Sequence, residues 1–275
     1  MAVNLATKYQ KALDQVFALG SLTKCGFAGK FDFTGSNIVK AYTLVSQALG
    51  NYTRTGTSRY GTPTEVADTV ATYTLTKDRA FSSVIDKGNY LQSNLVRTTG
   101  AYMKIQMDEQ IIPEIDARNL TVLTATAVAA SQDIVDVVTA ANAYESLLDA
   151  GVALDEAKTP AQGRVCFATP TFYKFLKLDD QFIQPSDMAQ KITIKGLVGE
   201  ADGAKIIKVP ASYFPANTNF ILTHPKANVN PRQLEEMFTH ENPPGISGAL
   251  IEGRYIYDAF SFAQKLTSTY RSKAA

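Results

Sequence analysis

Two histidines, His224 and His240, are the only side chains of this 275-residue chain whose ordinary pKa suits acid–base work at neutral pH. His224 stands between the apolar run NFILT and Pro225; His240 stands beside Glu241, just ahead of Pro243-Pro244. At element ends, both read as hydrogen-bonding surface residues rather than catalytic bases. Cys25 and Cys166 lie far apart and match no metal-ligand spacing, so they read as two reduced thiols. The carboxylate pairs Asp108-Glu109, Asp179-Asp180 and Glu235-Glu236 are adjacent in sequence. Neighbours diverge by about 100° on a helix and point to opposite faces on a strand, so such pairs do not converge on one reacting atom. No phosphate-binding Gly-rich loop and no GxSxG elbow is present, and Ser247 in GISG lacks the flanking spacing. The triplets Asn51-Tyr52-Thr53 and Asn119-Leu120-Thr121 fit the glycosylation pattern, but MAVNLATKYQ has no apolar signal region. No catalytic, cofactor or metal residue is therefore expected, and the chemistry of this chain must lie in contact.

Composition narrows the contact. Hydrophobic residues make up 45% and charged residues 19%, with a net charge of +1. Nothing here suggests the basic stripe of a dedicated nucleic-acid binder. No apolar run approaches the ~18 residues of a membrane span. The chain is long enough for a full core, in one large domain or two modest ones. Its charge is uneven: residues 1–60 hold seven Lys/Arg against Asp14 and Asp32, a net of +5, which leaves about −4 for the rest. A basic leading segment on a mildly acidic body could pair with the opposite surface of its own copy.

The elements that would present such a contact follow from periodicity. Leu5, Tyr9, Leu13, Val16 and Phe17 have helical spacing, with Gly20 as stop. Residues 36–46, 66–76 and 80–85 are rich in β-branched and aromatic side chains and read as strands. A long helix is expected from a cap at Asn89 to Arg118, with Leu91, Leu95, Tyr102, Ile105 and Ile112 on one face and a kink at Pro113. A second helix is expected over 132–149, capped by Ser131 and stopped by Gly151. Strand 164–168 leads into a helix opened by Thr169-Pro170. Strands at 192–198 and 204–209 flank an Asp202-Gly203 turn, and 219–223 forms another. Segments 233–240, 249–258 and 260–268 read as extended.

Between the first two strands lies GNYTRTGTSRYGTPTE, with no Leu, Ile, Val or Phe from residue 50 to 65. Such a stretch cannot bury itself, and an isolated two-stranded hairpin is marginal in water. Its tip carries Tyr52, Arg54, Arg59 and Tyr60, the residue types enriched at interface centres. The arm is expected to find its missing partner on another molecule, and these four residues are the candidate intersubunit contact.

The order of phrases resembles one family. MAVNLATKY, NYTRTGTSRYGTPTEVADTV and TLTKDRAFSSVIDKGN resemble the arm and hairpin of tailed-bacteriophage major capsid proteins with the Hong Kong 97-type fold. CFATPTFYKFLK, IKGLVGEADGAKIIKVPASYF and HPKANVNPRQLEEMFTHENPPGISGALIEGRYIYDAFSF resemble that family's body and closing segments. The resemblance implies an α+β fold with an N-terminal arm (1–35), an extended β-hairpin loop with flanking strands (36–86), a peripheral domain containing a long spine helix (87–124 with 226–275) and an axial domain (125–225). It implies a non-enzymatic shell protein without cofactors. Hexamers and pentamers would form an icosahedral shell around double-stranded phage DNA, in a virion assembled in the bacterial cytoplasm. An encapsulin-like nanocompartment shell is the alternative, and a soluble α/β enzyme a more distant one. Implied partners are other copies of the chain, a portal, separate scaffolding, optional decoration proteins and weak, non-specific DNA contact, with no membrane. Two departures from some relatives stand out. The sequence passes from Met1 directly into the arm, from which separate scaffolding or none is expected. The tip from Gly50 to Glu65 has no lysine to cross-link to a neighbour's asparagine, so non-covalent lattice contacts are expected.

Overall fold

The computed structural model describes residues 20–28, 38–88, 99–179 and 197–274. The expected helix over 2–19 and the expected cap at Asn89 lie outside the described residues, as does the start of the 192–198 strand.

The hairpin is present. Strand β1 (Ile38–Leu44) pairs antiparallel with β2 (Asp68–Thr74), from Ile38 opposite Thr74 to Leu44 opposite Asp68. Strand β3 (Lys77–Asp86) follows and leaves the hairpin for a different sheet.

The spine helix runs unbroken from Thr99 to Ala129, about 46 Å at the helical rise. It comprises α1 (Thr99–Gln106), a π-helical turn (Met107–Ile111) and α2 (Ile112–Ala129). It passes Arg118 by three turns. The wide turn comes just before Pro113, the place where a proline ring and its missing N–H would otherwise disrupt the ladder. The spine ends in a Schellman motif: Ser131 takes φ 56°, its N–H bonds the Val128 carbonyl at 3.1 Å, and Gln132 N–H bonds that of Ala127 at 2.9 Å. Ser131 therefore ends one helix rather than capping the next.

This changes the reading of 132–149. Residues Asp133–Val135 form strand β4, and helix α3 runs over Ala143–Glu156 with Gly151 inside it. Gly151 is small for a reason: a Cβ there would stand 3.0 Å from the Asp202 carboxylate. Strand β5 (Arg164–Ala168) is wholly buried, and Thr169 caps α4 (Pro170–Leu178) by accepting the Phe172 N–H at 3.3 Å. Strands β6 (Leu197–Ala201) and β7 (Ala204–Lys208) meet at Asp202-Gly203, both with positive φ, as a two-residue hairpin turn requires. Then follow β8 (Thr218–Thr223), β9 (Asn228–Val229), β10 (Arg232–Glu241), β11 (Gly248–Tyr257) and β12 (Phe260–Ser261). Residues Ala263–Ser268 coil into a 3-10 helix rather than continuing as strand, and β13 (Thr269–Lys273) closes the order.

Two sheets share the spine. The six-stranded sheet has the order β4-β13-β8-β5-β7-β6. On one face Leu120 and Leu123 of α2 meet Val165, Phe167, Ile207 and Ile221; on the other, Leu147 and Leu154 of α3 and Phe172 and Leu176 of α4 meet Cys166, Ile206, Phe220 and Leu222. The three-stranded sheet, β10-β11-β3, lays Phe81, Met237, Tyr255 and Tyr257 against Ile111 and Ile115 of the spine. Gly253 is the close-approach point, since a Cβ there would fall 2.3 Å from the Phe81 ring.

Candidate intersubunit surface

The hairpin is held at its root by one carboxylate. Asp258 is fully buried and accepts Thr76 N–H at 2.9 Å, the Thr76 hydroxyl at 2.6 Å, Arg118 Nε at 2.9 Å and Ala259 N–H at 2.8 Å. Burial pushes this carboxyl up, and the bonds from Arg118, Thr76 and Ala259 outweigh it, leaving its pKa below the usual range. Thr76 lies between β2 and β3, and Arg118 is on the spine, so the root, the spine and the strand end at 258 share a single junction.

From the root the hairpin runs out along the segment after β12. Its inner face sets Val39, Ala41, Ala71 and Tyr73 against Ile256, Phe260 and Phe262. Tyr73 hydroxyl accepts Ala263 N–H at 3.1 Å, and Gln264 donates to the Thr69 hydroxyl at 3.0 Å. The outer face is different. Ile38, Tyr42, Leu44 and Val70 all point to solvent, Tyr42 at 69% and Leu44 at 75% exposure. A strand with apolar side chains on both faces is the pattern of one covered on both sides, and the described residues cover only one.

Beyond β1 and β2, residues 45–67 are exposed throughout. The tip nonetheless has order. Thr53 N–H bonds the Arg59 carbonyl at 3.0 Å, Arg59 Nε donates to the Gly56 carbonyl at 3.1 Å, and Gly61 N–H bonds that of Ser58 at 3.1 Å. The rings of Tyr52 and Tyr60 meet edge to face, centroids 5.0 Å apart. Three of the four expected contact residues, Tyr52, Arg59 and Tyr60, are thus gathered on one knob, and Arg54 is exposed on the same turn. Sequence reasoning missed the Asp258–Thr76–Arg118 junction, whose members are distant in sequence. It also passed over the outward row of β1, although IVKAYTL shows its apolar residues on both strand faces.

The outward face of the three-stranded sheet is another apolar area that the described residues leave uncovered. Phe238, opposite Glu252, is 53% exposed, and Val84 stands half-exposed beside Leu250. Around them lie Glu236, Glu252 and Asp78, the last held by Arg254 through bonds of 3.0 and 2.7 Å. That pairing lowers the Asp78 pKa. The face is acidic and apolar together.

The residues with chemical potential are otherwise occupied. His224 is buried, its Nδ1 accepts Lys226 N–H at 3.2 Å, and its Nε2 bonds the Gln162 carbonyl at 3.2 Å. Burial lowers its pKa, as do the charges of Lys226, Arg164 and Lys265, against the opposing effect of the Gln162 bond. His240 is exposed, 3.4 Å from Glu252. Cys25 is exposed and Cys166 buried, both free, and burial drives the Cys166 thiol far up in pKa. Asp179 is buried and accepts Tyr144 N–H at 2.9 Å. Among the described residues no three of His, Cys, Asp and Glu are grouped to hold a metal ion, and no described helix is long and apolar enough to cross a membrane.

No protein-family model matches the chain, and no curated protein matches it in sequence. Solved structures do match it in fold. The capsid structure of cyanophage P-SCSP1u aligns over 99% of this chain and 93% of its own, with a TM-score of 0.74 and 11% identity. The mature capsid of bacteriophage PhiM1 aligns over 98% and 92%, with a TM-score of 0.68 and 11% identity. A structure from Mycobacterium phage Che8 aligns over 98% of both chains, with a TM-score of 0.68 and 15% identity. Nearly end to end, this chain has the fold of phage capsid subunits, the Hong Kong 97-type fold.

Proposed function

We propose that the chain is the major capsid protein of a tailed phage, a structural subunit and not an enzyme. Copies assemble as hexamers and pentamers into an icosahedral shell around double-stranded DNA. The observation that carries this reading is the hairpin: an apolar outer face and an ordered Tyr/Arg knob that nothing among the described residues covers. The fold shared with phage capsid structures supports the same reading.

In this assignment residues 1–35 are the arm, 36–86 the extended loop, 87–124 with 226–275 the peripheral domain and 125–225 the axial domain. The last strand, 269–273, crosses to complete the axial sheet. Tyr52, Arg54, Arg59 and Tyr60 lie across the adjacent subunit's peripheral domain and spine, where the acidic, apolar outer face of β10, β11 and β3 complements a cationic aromatic knob. A portal and decoration proteins complete the head, which is built in the bacterial cytoplasm.

Electron microscopy of the purified protein tests the reading directly, with closed shells tens of nanometres across expected. Deleting residues 50–64 leaves a folded body by circular dichroism and abolishes those shells. Shells from the deletion variant overturn the role of the hairpin. Monomers or dimers from the intact chain under all assembly conditions overturn the shell reading itself.

A further inference from the structure

A cavity that the hairpin account does not use lies where residues 21–27 meet the spine. It holds about 240 Å³ and is lined by Ser21, Lys24 and Phe27 from that segment and by Asn230 and Arg232 at the foot of β10. Its lip is fixed from both sides. Asp116 of α2 accepts the Ser21 hydroxyl at 2.9 Å, Leu22 N–H at 2.8 Å and the Thr23 hydroxyl at 2.6 Å. The Lys24–Gly26 turn is then tied down by Asn228, which donates to the Gly26 carbonyl at 3.1 Å. A Cβ at Gly26 would fall 2.7 Å from the Phe167 ring, so the turn sits directly on the six-stranded sheet.

The polar network beneath the cavity has a direction. Thr23 donates its one hydroxyl proton to Asp116, so its oxygen accepts from Asn119 Nδ2 at 2.8 Å. The Asn119 amide is thereby oriented, and its Oδ1 accepts from Asn230 Nδ2 at 2.9 Å. The chain of donors runs from Asn230 to Asp116 and fixes the Asn230 amide as well. Asn230 Oδ1 is left buried, with no donor among the described residues. A buried acceptor without a partner is costly, and a ligand that brings it a donor offsets that cost.

Lys24 and Arg232 set the charge of the same cavity. Lys24 is exposed and belongs to the basic leading segment. Arg232 bonds Glu235 at 3.1 Å, an exposed pair that solvent screens and a bound anion can share. With Phe27 half-buried beside them, the cavity offers two cations, one acceptor and one ring. A fully ionised inorganic anion satisfies the cations and leaves Asn230 Oδ1 bare, whereas a neutral amide does the reverse. The last residue of a polypeptide carries both groups on one Cα, an N–H and a carboxylate. The volume, below the ~300 Å³ at which pockets for whole small molecules begin, suits such an end.

We infer that this cavity binds the carboxyl-terminal residue of a partner polypeptide that ends in an apolar side chain. The N–H of that residue donates to Asn230 Oδ1, its carboxylate is held by Lys24 and Arg232, and its side chain lies against Phe27. The site is separate from the hairpin contact and does not depend on the shell reading.

The test uses the full chain, unassembled, and a fluorescein-labelled hexapeptide ending in leucine with a free carboxylate. Anisotropy titration at low salt is expected to show saturable binding. The same peptide ending in a carboxamide binds at least about tenfold more weakly, having lost a charge-assisted contact. K24A/R232A produces the same loss for the acid, and K24R/R232K keeps most of its affinity. K87A/K104A removes two exposed lysines elsewhere and leaves binding unchanged. An ester analogue, with oxygen in place of the last N–H, reads Asn230 alone. It binds about fivefold more weakly than the acid to the intact chain and as well as the acid to Asn230→Ala. That ratio is insensitive to a general loss of stability, and Asn230→Leu serves if circular dichroism shows the Ala variant unfolded. Absence of saturable binding, equal binding of acid and carboxamide, or undiminished affinity in K24A/R232A overturns the inference. Equal binding of a carboxamide peptide with an internal aspartate overturns the chain-end assignment, and an ester penalty that persists in Asn230→Ala overturns the role of Asn230.

Discussion

Asp258 is the residue on which the hairpin depends. Its carboxylate is fully buried and takes four donors, so each loss is felt without water to replace it. Asp258→Asn keeps the volume but puts an amide N–H where a donor already points, and leaves Arg118 without its counter-charge. Unfolding free energy should fall by about 2–4 kcal/mol, read as a lower urea midpoint. His224 sets a pH limit of another kind. Its Nδ1 acts as an acceptor only when unprotonated, and its pKa in the fold lies below the ordinary 6.5. The unfolded chain then binds the extra proton. Stability is full above pH 6.5 and declines as the pH falls through the folded value of His224. His224→Gln, which retains one donor and one acceptor, should flatten that part of a stability-against-pH curve. Asp258 does not stand out in the sequence, and His224 reads there as a surface residue but is buried, because long-range packing and donors make both what they are.

At the scale of elements, local signals were legible and distant pairings were not. The phrase CFATPTFYKFLK reads correctly as strand, cap and helix because a buried apolar run and Thr-Pro are local statements. The Asp-Gly turn and the β1–β2 hairpin are of the same kind. Ser131 misleads because a serine suits a helix start, yet here it occupies the left-handed position past a helix end. That position carries a cost for a side chain with a Cβ, so Ser131→Gly should raise stability by about 0.5–1 kcal/mol, measured by thermal unfolding. The spine beyond Arg118, NLTVLTATAVA, is rich in β-branched residues with modest helix propensity, and burial of Leu120 and Leu123 overrides it. Strand β13 was missed altogether. TYRSK is short and polar, and its place between β4 and β8 is secured by non-local contacts: Arg271 bonds Asp133 at 3.2 Å, the Thr218 hydroxyl at 3.0 Å and the Ala216 carbonyl at 2.7 Å.

For the whole molecule, one helix serves two sheets, its first half against β10, β11 and β3 and its second against the six-stranded sheet. A contact made at the hairpin is therefore made to the junction that ties both bodies together. Legibility was greatest at this scale, since the order of phrases resembled the right fold before any side-chain contact was known. The exposure of the hairpin tip was legible too, because a stretch without large aliphatic side chains cannot bury itself. What the sequence hid was the surface proposed to answer it. Phe238, Glu236 and Glu252 become one face only when strands pair. Since the tip carries no lysine, the lattice should be held without covalent links. Shells boiled in detergent should run as a single band at the 29.9 kDa of the monomer, and a ladder of multiples would refute this.

The position of β13 also imposes an order in time. It fills the gap between β4 and β8 with residues 269–273, so the six-stranded sheet cannot close until nearly the whole of this sequence has been synthesised. Every earlier intermediate, and every chain cut short by a premature stop, holds two strands facing an empty lane. Fragments therefore cannot present a finished six-stranded body, and under the proposed function a shell that recruits only finished bodies would exclude them without any separate inspection step.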